Sequence, residues 1–408
     1  MVLDKNFKYI DLFAGIGGFH CAMDKYSKGK AKCIMASEIN IDAKKTYEKH
    51  FKMEVLGDIT KIEKKLIKEE FDVVCGGFPC QTFSKAGMQK GFGDPRGTLF
   101  KEIIRLSEND DVTKQPKIMI LENVRNLITH DNGVTWNTIK KALEDINYNV
   151  IETPIVVGPK DFNIPQLRER AIILAVRKDI YSGEIKLNIK RKKNNCTSIY
   201  DIIDNDLSER DYNDYHITQK EEEALDAWND FVKGINLSII GFPIWSDEFG
   251  NNRDISDLPK WKQDFILKNR KLYADNKVFI DKWLDKHNIR SMIPTYRKFE
   301  WQVANKIHDV YDGIIQFRPS GIRVKQPTES PTLVAMVHIP IIGKYKRRIT
   351  INEARKLQSF PDNYDFSNET KFNAYKQLGN AVNVEVIYRV FSEFIRFLDK
   401  KIKEEENE

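Results

Sequence analysis

Along the first 180 residues, short apolar runs alternate with stretches in which apolar positions recur every three or four residues. The runs predict strands at "KYIDLF" (8–13), "AKCIMASEI" (31–39), "MEVLGD" (53–58), "FDVVCGG" (71–77), "PKIMILENV" (116–124), "YNVIETPIVV" (148–157) and "RAIILAV" (170–176). Those at 71–77 and 116–124 are almost continuously apolar, as fits strands covered on both faces. The intervening stretches, such as "NIDAKKTYEKHF" and "VTWNTIKKALEDI", carry a helical period. This alternation predicts an α/β fold, a doubly wound and mostly parallel sheet. Ligands of such sheets bind outside the carboxyl ends of the strands.

From about residue 184 the pattern changes. "EIKLNIKRKKNNC" (184–196) is a basic run, and a polar stretch with scattered aromatics and no βαβ rhythm follows to about 330. We read it as a second, smaller domain or a large insertion. "SEFIRFLDKKIKEEENE" predicts a terminal helix that frays into charge.

Composition narrows the classes. With 41% hydrophobic and 31% charged residues, the 408-residue chain reads as a soluble globular protein of one large or two ordinary domains. No apolar run approaches the roughly 20 residues that span a bilayer. "MVLDKNFKYIDLF" lacks a secretory layout, so a cytoplasmic protein without membrane contact is expected. Five cysteines without a C-x-x-C pair argue against a disulfide framework and against a metal site. Cys21, Cys33, Cys75 and Cys196 read as ordinary core or surface residues. A net charge of +6 permits a nucleic-acid partner without requiring one.

Candidate chemistry gathers at predicted strand ends. In "DLFAGIGGFH", Gly15, Gly17 and Gly18 allow a tight turn before a helix whose N-terminus attracts an anionic ligand end. A plain strand-to-helix turn reads equally well. Glu38 stands 20 residues after Gly18, where a ribose-binding acid belongs in nucleotide-binding α/β folds. Asp58, at the end of the third predicted strand, can accept from an adenine amine; either acid can instead be a surface group or a cap. "GIGGF" departs from the G-x-G-x-x-G of dinucleotide sites. Cys80 follows Pro79 in a glycine-rich turn after a strand, as a nucleophile, a metal ligand or an inert thiol would. Gly87, Gly91, Gly93 and Gly97 suit a loop that closes on substrate or an ordinary surface loop. Glu122 and Asn123 end an apolar strand; a carboxyl partly desolvated there can donate a proton. Arg168 and Arg170, two apart, share a face if extended and can hold a phosphate or a carboxylate, or make surface ion pairs.

Together and in order, these stretches resemble the DNA cytosine-5 methyltransferases of bacterial restriction–modification systems. "DLFAGIGGFH" resembles the family's cofactor loop and "GGFPCQTFS" its Pro-Cys nucleophile motif. "ENV" and "QLRER" follow in the family's order, as do "RRITINEARKLQSFPDNY" (347–364) and "AYKQLGNAV" (374–382). The likeness covers roughly residues 8–177 and 331–390. It implies S-adenosyl-L-methionine as methyl donor, S-adenosyl-L-homocysteine as product, and a Rossmann-like methyltransferase domain with a smaller target-recognition domain. Cys80 would attack cytosine C6, Glu122 would bond N3 and the exocyclic amine, Arg168 would steady the O2 side, and Arg170 would orient Glu122 or the loop. Phe13 would pack on the adenine, Glu38 would take the ribose hydroxyls and Asp58 the adenine amine, with Ile59 lining the pocket. Gly15, Gly17 and Gly18 would approach the methionine part, beside Pro79. Ile39 stands where the family often has a tryptophan beside the adenine. Asn380 and Val382 would close the pocket from the far end of the chain.

Gln81, Ser84 and Thr332 would contact double-stranded DNA at a short specific site, with the target base flipped out. "KYKRR" (344–348) and "IKRKK" are candidates for phosphate contacts. The expected division is 1–183 for catalysis and cofactor, 184–373 for target recognition, and 374–408 for the return to the first domain. A monomer is expected, and the likeness admits a cognate restriction endonuclease acting on the same site. The alternatives are a tRNA cytosine-5 methyltransferase of the same fold, whose Cys-Phe-Thr element this chain lacks, and a non-catalytic DNA-binding homologue, which would be expected to have lost Cys80 or Glu122.

Overall fold

A computed structural model describes residues 1–79, 98–191, 197–235, 241–303, 306–333 and 338–407. The chain divides into two compact units. The first comprises Met1–Ile164, Arg168–Asn195 and Arg355–Glu408; the second comprises Pro165–Leu167 and Cys196–Ala354. The first unit thus extends to Asn195, past the expected boundary at 183, and resumes at Arg355, earlier than the 374 that the family resemblance implied.

The first unit is built on β1 (Lys8–Leu12), α1 (Gly18–Ser27), β2 (Lys32–Ser37), α2 (Ile41–Phe51), β3 (Val73–Gly77), α3 (Thr98–Ser107), β4 (Ile118–Val124), α4 (Val134–Asp145), β5 (Tyr148–Val150), β6 (Ile155–Val157), β7 (Arg170–Arg177), α5 (Lys371–Asn380) and α6 (Val384–Glu405). Strands β2, β1, β3 and β4 lie side by side and parallel. β7 runs antiparallel to β4, and both β5 and β6 pair with β7. The predicted strand 148–157 is therefore two strands. One correction concerns 53–58, which is no strand: it pairs with β2 through an isolated bridge from Leu56 to Ser37. Leu56 exchanges backbone hydrogen bonds with Ala36 and Glu38, and Asp58 then caps a short 3-10 turn, Ile59–Lys61.

Period-two alternation sends successive strand residues to opposite faces. Ile10, Leu12, Val74, Met119, Leu121 and Ile173 pack beneath Phe100 and Ile103 of α3 and Trp136 and Ile139 of α4. The other face is more polar. There Asp11 is fully buried, the His20 ring stacks on Phe51 at 3.7 Å, and His20 Nδ1 lies 2.7 Å from the Tyr47 hydroxyl. Phe391 of α6 packs edge-on to Tyr26 of α1 at 4.9 Å.

The second unit carries a six-stranded sheet in the order Arg347–Arg348, Ile341–Ile342, Ile314–Arg318, Gly321–Lys325, Lys298–Gln302, Ile244–Trp245. The helices Gln219–Gly234 and Lys277–Lys286 supply Trp228, Phe231 and Trp283 to its core, where Trp228 stacks on Phe299 at 4.7 Å. A capping box from Thr218 to Glu221 starts the first of these helices. Arg347 and Glu353 form a bidentate pair at 2.6 and 2.9 Å, both nearly inaccessible. Thr350 N–H donates to Glu353 at 2.7 Å and Asp204 N–H at 2.8 Å, which satisfies the remaining lone pairs. Among the described residues no helix is long and apolar enough to cross a membrane.

Candidate active site

The carboxyl ends of β1, β2 and β3 border one cavity of about 320 Å³. Beyond β1 the chain turns through left-handed conformations at Phe13 (φ 55°), Gly15 (55°) and Gly17 (83°). A side chain with φ above zero is uncommon and costs energy, and Phe13 holds that geometry with its ring on the cavity wall. Ala14 N–H donates to the Ser37 carbonyl at 2.9 Å, which ties the turn to β2. Glycine is required at two positions. A Cβ on Gly17 would lie 2.2 Å from the Phe51 ring, and one on Gly18 2.6 Å from Val382 Cγ2 and 2.8 Å from the Val382 carbonyl. α1 can therefore approach the turn ahead of α6 closely.

Glu38 stands at the cavity edge. Its Oε2 accepts from Gly15 N–H at 2.9 Å and its Oε1 from Asn40 N–H at 2.7 Å. Both bonds run along the rim and fix the carboxylate. Gly77 and Pro79 line the cavity at the end of β3; Asn373, Lys376, Gln377 and Asn380 line it from α5. Gln377 is 5% exposed, and its Oε1 accepts from the Thr46 hydroxyl at 3.1 Å while its Nε2 has no hydrogen-bond partner among the described residues. A buried donor left unpaired on a cavity wall fits a ligand with acceptors.

Beside Gly77, β4 ends in Glu122 and Asn123, both buried. Arg170 Nε lies 2.8 Å from Glu122 Oε1. A Cβ on Gly77 would come 3.7 Å from Glu122 Oε2, so the glycine keeps the space before the carboxylate open. Arg168 is buried and its Nη2 donates to the Ala381 carbonyl at 2.9 Å, joining the arginine pair to the α5–α6 turn. Burial, and then the Arg170 charge, pulls the Arg168 guanidinium down to about 9, with Glu122 opposing. Asn123 Nδ2 donates to the Phe78 carbonyl at 3.0 Å, and Val124 N–H donates to Asn123 Oδ1 at 2.8 Å. Asn123 thereby clamps the backbone just ahead of Pro79.

Of the residues singled out from sequence, Phe13, Gly15, Glu38, Ile39, Pro79 and Asn380 line one cavity, and Glu122, Arg168 and Arg170 form one cluster near it. Gly17, Gly18 and Val382 are packed behind the wall. Ile59 is buried in the core, and Asp58 does not line the cavity. The Asp58 carboxylate accepts from Thr60 N–H at 3.0 Å and from its hydroxyl at 2.8 Å, bonds that hold it below the usual carboxylate range. Cys80, Gln81, Ser84 and the glycines from 87 to 97 lie outside the described residues, as do Cys196 and the lysines at 192 and 193. Thr332 donates to the Leu167 carbonyl within the second unit. The "KYKRR" stretch is not a free cationic patch: Lys346, Arg347 and Arg348 pair with Glu222, Glu353 and Glu221, and Lys344 sits over the Tyr200 and Tyr345 rings. Gln377, Lys376 and Asn373 were missed, although "KQLGNAV" pointed at their helix; three to four residue spacing puts Asn373, Gln377 and Asn380 on one face.

An apical cavity on a doubly wound sheet, with a left-handed apolar turn, a fixed carboxylate and a carboxylate–arginine cluster alongside, is the kind of site the methyltransferase fold carries. Residues 7–396 match the model of the C-5 cytosine-specific DNA methylases, and the chain belongs to that family. It is 30% identical to type II methyltransferase M.AluI of Cellulosimicrobium cellulans, over 96% of this chain and 92% of that protein. It is 37% identical to M.SsoII of Shigella sonnei, over 96% of this chain and 81% of that protein. The solved structure of the Entamoeba histolytica methyltransferase EhMeth superposes with a TM-score of 0.54 at 19% identity, covering 96% of this chain and 99% of that one. The chain is thus a DNA methyltransferase acting on cytosine, of the restriction–modification kind.

Proposed function

We propose that the chain binds S-adenosyl-L-methionine in the cavity beside Phe13 and Glu38 and methylates C5 of a cytosine flipped out of duplex DNA. The observation that carries this reading is the shared end of β3. Gly77 and Pro79 line the cavity, Gly77 also faces Glu122, and Asn123 fixes the Phe78 carbonyl immediately before the Pro79–Cys80 step. The cavity suits the cofactor: its volume falls at the lower end of cofactor sites, roughly 300–1,000 Å³. Glu38 would accept from ribose hydroxyls, Phe13 would pack on the adenine, and Gln377 Nε2 would gain the acceptor it lacks. The bound cofactor would supply an electrophilic methyl group.

The chain's own residues would do the rest. Cytosine C5 is a poor nucleophile, and addition of the Cys80 thiolate to C6 would make it enamine-like. Glu122 would hold N3 and the exocyclic amine and protonate N3 as charge develops; Arg170 would keep Glu122 oriented, and Arg168 would steady O2. Loss of the C5 proton and expulsion of Cys80 would complete the turn. Flipping the base costs a few kcal/mol, offset by contacts in the pocket. The second unit would read the target site, Thr332 among its DNA contacts. A cytoplasmic monomer and a cognate endonuclease sharing the site complete the reading.

The test is transfer of tritiated methyl groups to duplex DNA. The wild-type protein should label cytosine, and Cys80→Ala should abolish transfer while S-adenosyl-L-homocysteine still binds. Duplexes carrying 5-fluorocytosine should form a covalent adduct, because the fluorine that replaces the C5 proton cannot be removed by a base and Cys80 then cannot be expelled. Turnover by Cys80→Ala, or no adduct, would refute the mechanism.

A further inference from the structure

The six-stranded sheet of the second unit has two unlike faces. Phe299, Ile315, Ile322 and Val324 point into the core. Alternation places Lys298, Glu300, Gln302, Arg318, Arg323 and Lys325 on the opposite face. Register sets Glu300 beside Arg323, and Arg318 one row away, opposite Gly321. On the same side Ile314, Gln316, Ile342 and Arg347 are buried, and the part formed by Lys298–Gln302, Arg318 and Gly321–Lys325 holds four cations and one carboxylate. Glu300 is already engaged. It accepts from Arg323 Nε at 2.8 Å and Nη2 at 2.6 Å, from Gln302 Nε2 at 3.1 Å and from the Ser320 hydroxyl at 3.3 Å. Among the described residues, no carboxylate pairs with Arg318. Its guanidinium is half-buried, and burial first, then the Arg323 charge, holds it below its ordinary value, with Glu300 opposing. Like charges in neighbouring rows of a sheet are destabilising. A fold that keeps them, with the exposed turn Pro319–Ser320 just beyond, is matched to an external surface rich in acceptors.

We propose that this sheet face docks duplex DNA and that Arg318 reads a guanine at its major-groove edge. The inference rests on the reading of the chain as a DNA methyltransferase. Guanine presents O6 and N7 at the spacing of a guanidinium fork. Phosphate contacts need charge alone, and lysines on flexible stems supply it. Here the arginine stands instead among an oriented carboxylate, an amide and a second guanidinium pinned by Glu300, a mixed set of donors and acceptors suited to base edges.

The experiment begins with the sequence that the wild-type protein methylates, found by base-resolution mapping. Duplex oligonucleotides carrying it, and versions with each G·C pair replaced in turn, are assayed by tritium transfer with wild type, Arg318→Ala and Arg318→Lys. Thermal melting and S-adenosyl-L-homocysteine binding check the fold. Arg318→Ala should lose about tenfold to a hundredfold in kcat/KM on the cognate duplex and become indifferent to one guanine. Arg318→Lys should recover little, because an ammonium cannot make the forked pair. If Arg318→Ala does not fold, loss of discrimination at one guanine by Arg318→Lys supports the proposal, and full discrimination overturns it. Unchanged discrimination in folded Arg318→Ala overturns it. So does an equal loss on every duplex with a shallower salt dependence, which marks a phosphate contact. Absence of transfer to any DNA by wild type would instead overturn the methyltransferase reading on which the proposal stands.

Discussion

His20 and Asp24 lie one turn apart on α1, with Nε2 and Oδ2 3.7 Å apart, and they pull stability in opposite directions. Burial lowers His20 to about 3 and raises Asp24 to about 6. Below the unfolded histidine value of about 6.5 the unfolded chain takes a proton that folded His20 refuses, so its contribution is lost as pH falls. Folded Asp24 keeps a proton up to about pH 6 that the unfolded carboxyl releases near 4, so its contribution is lost as pH rises. Asp24→Asn should therefore steepen the rise of melting temperature from pH 4 to 6.5; an unchanged slope would contradict the opposition. At this scale much of the site was legible. Glu122, Arg168, Arg170 and Glu38 stand at element ends, where sequence order and residue chemistry agree. Gln377 was not legible, because its significance is an unpaired amide nitrogen, a property of packing rather than of residue type. For Asp58 the structure shows the cap that the sequence also allowed: its Oδ1 accepts from Thr60, two residues on.

Among elements, the sequence pattern located β1 to β4 and β7 within two residues at either end. It failed at 53–58, where only Leu56 forms a ladder bridge with a neighbouring strand. Pairing partners, not period, make a strand. The same limit applied to "KYKRR", whose cations looked free in sequence and are mostly consumed by glutamates distant along the chain or by Glu353. A cap offers a test at this scale. Asn383 starts α6: its Oδ1 accepts from Val386 N–H at 3.1 Å and its Nδ2 donates to the buried Leu357 carbonyl at 2.9 Å. Asn383→Ala should cost about 1–2 kcal/mol of stability by urea titration, and a variant as stable as wild type would show that the cap contributes nothing.

The molecule as a whole consists of two units with separate cores, and its tryptophans can report on one of them. Five of the six tryptophans, all but Trp136, belong to the second unit. Glu353→Ala leaves the buried Arg347 charge uncompensated, which costs about 3–5 kcal/mol. Urea unfolding followed by tryptophan fluorescence should shift to lower midpoint, while S-adenosyl-L-homocysteine binding by the first unit survives at low urea; loss of both together would mean that the units do not unfold separately. The boundary between them was poorly legible: the basic run from 184, where the pattern changes, belongs to the first unit up to Asn195, and the return at Arg355 falls inside the helix Ile351–Leu357, where no compositional break exists. That return has a consequence in time. The cavity's first wall, at Phe13 and Glu38, leaves the ribosome early, and its last wall, at Asn373 to Asn380, only near the end of synthesis. At about 5–20 residues per second, the two are separated by on the order of twenty seconds to a minute. A nascent chain therefore carries Cys80 long before the cavity is complete, and a chain cut short before α5 lacks the wall formed by Asn373, Gln377 and Asn380 however well the rest has folded.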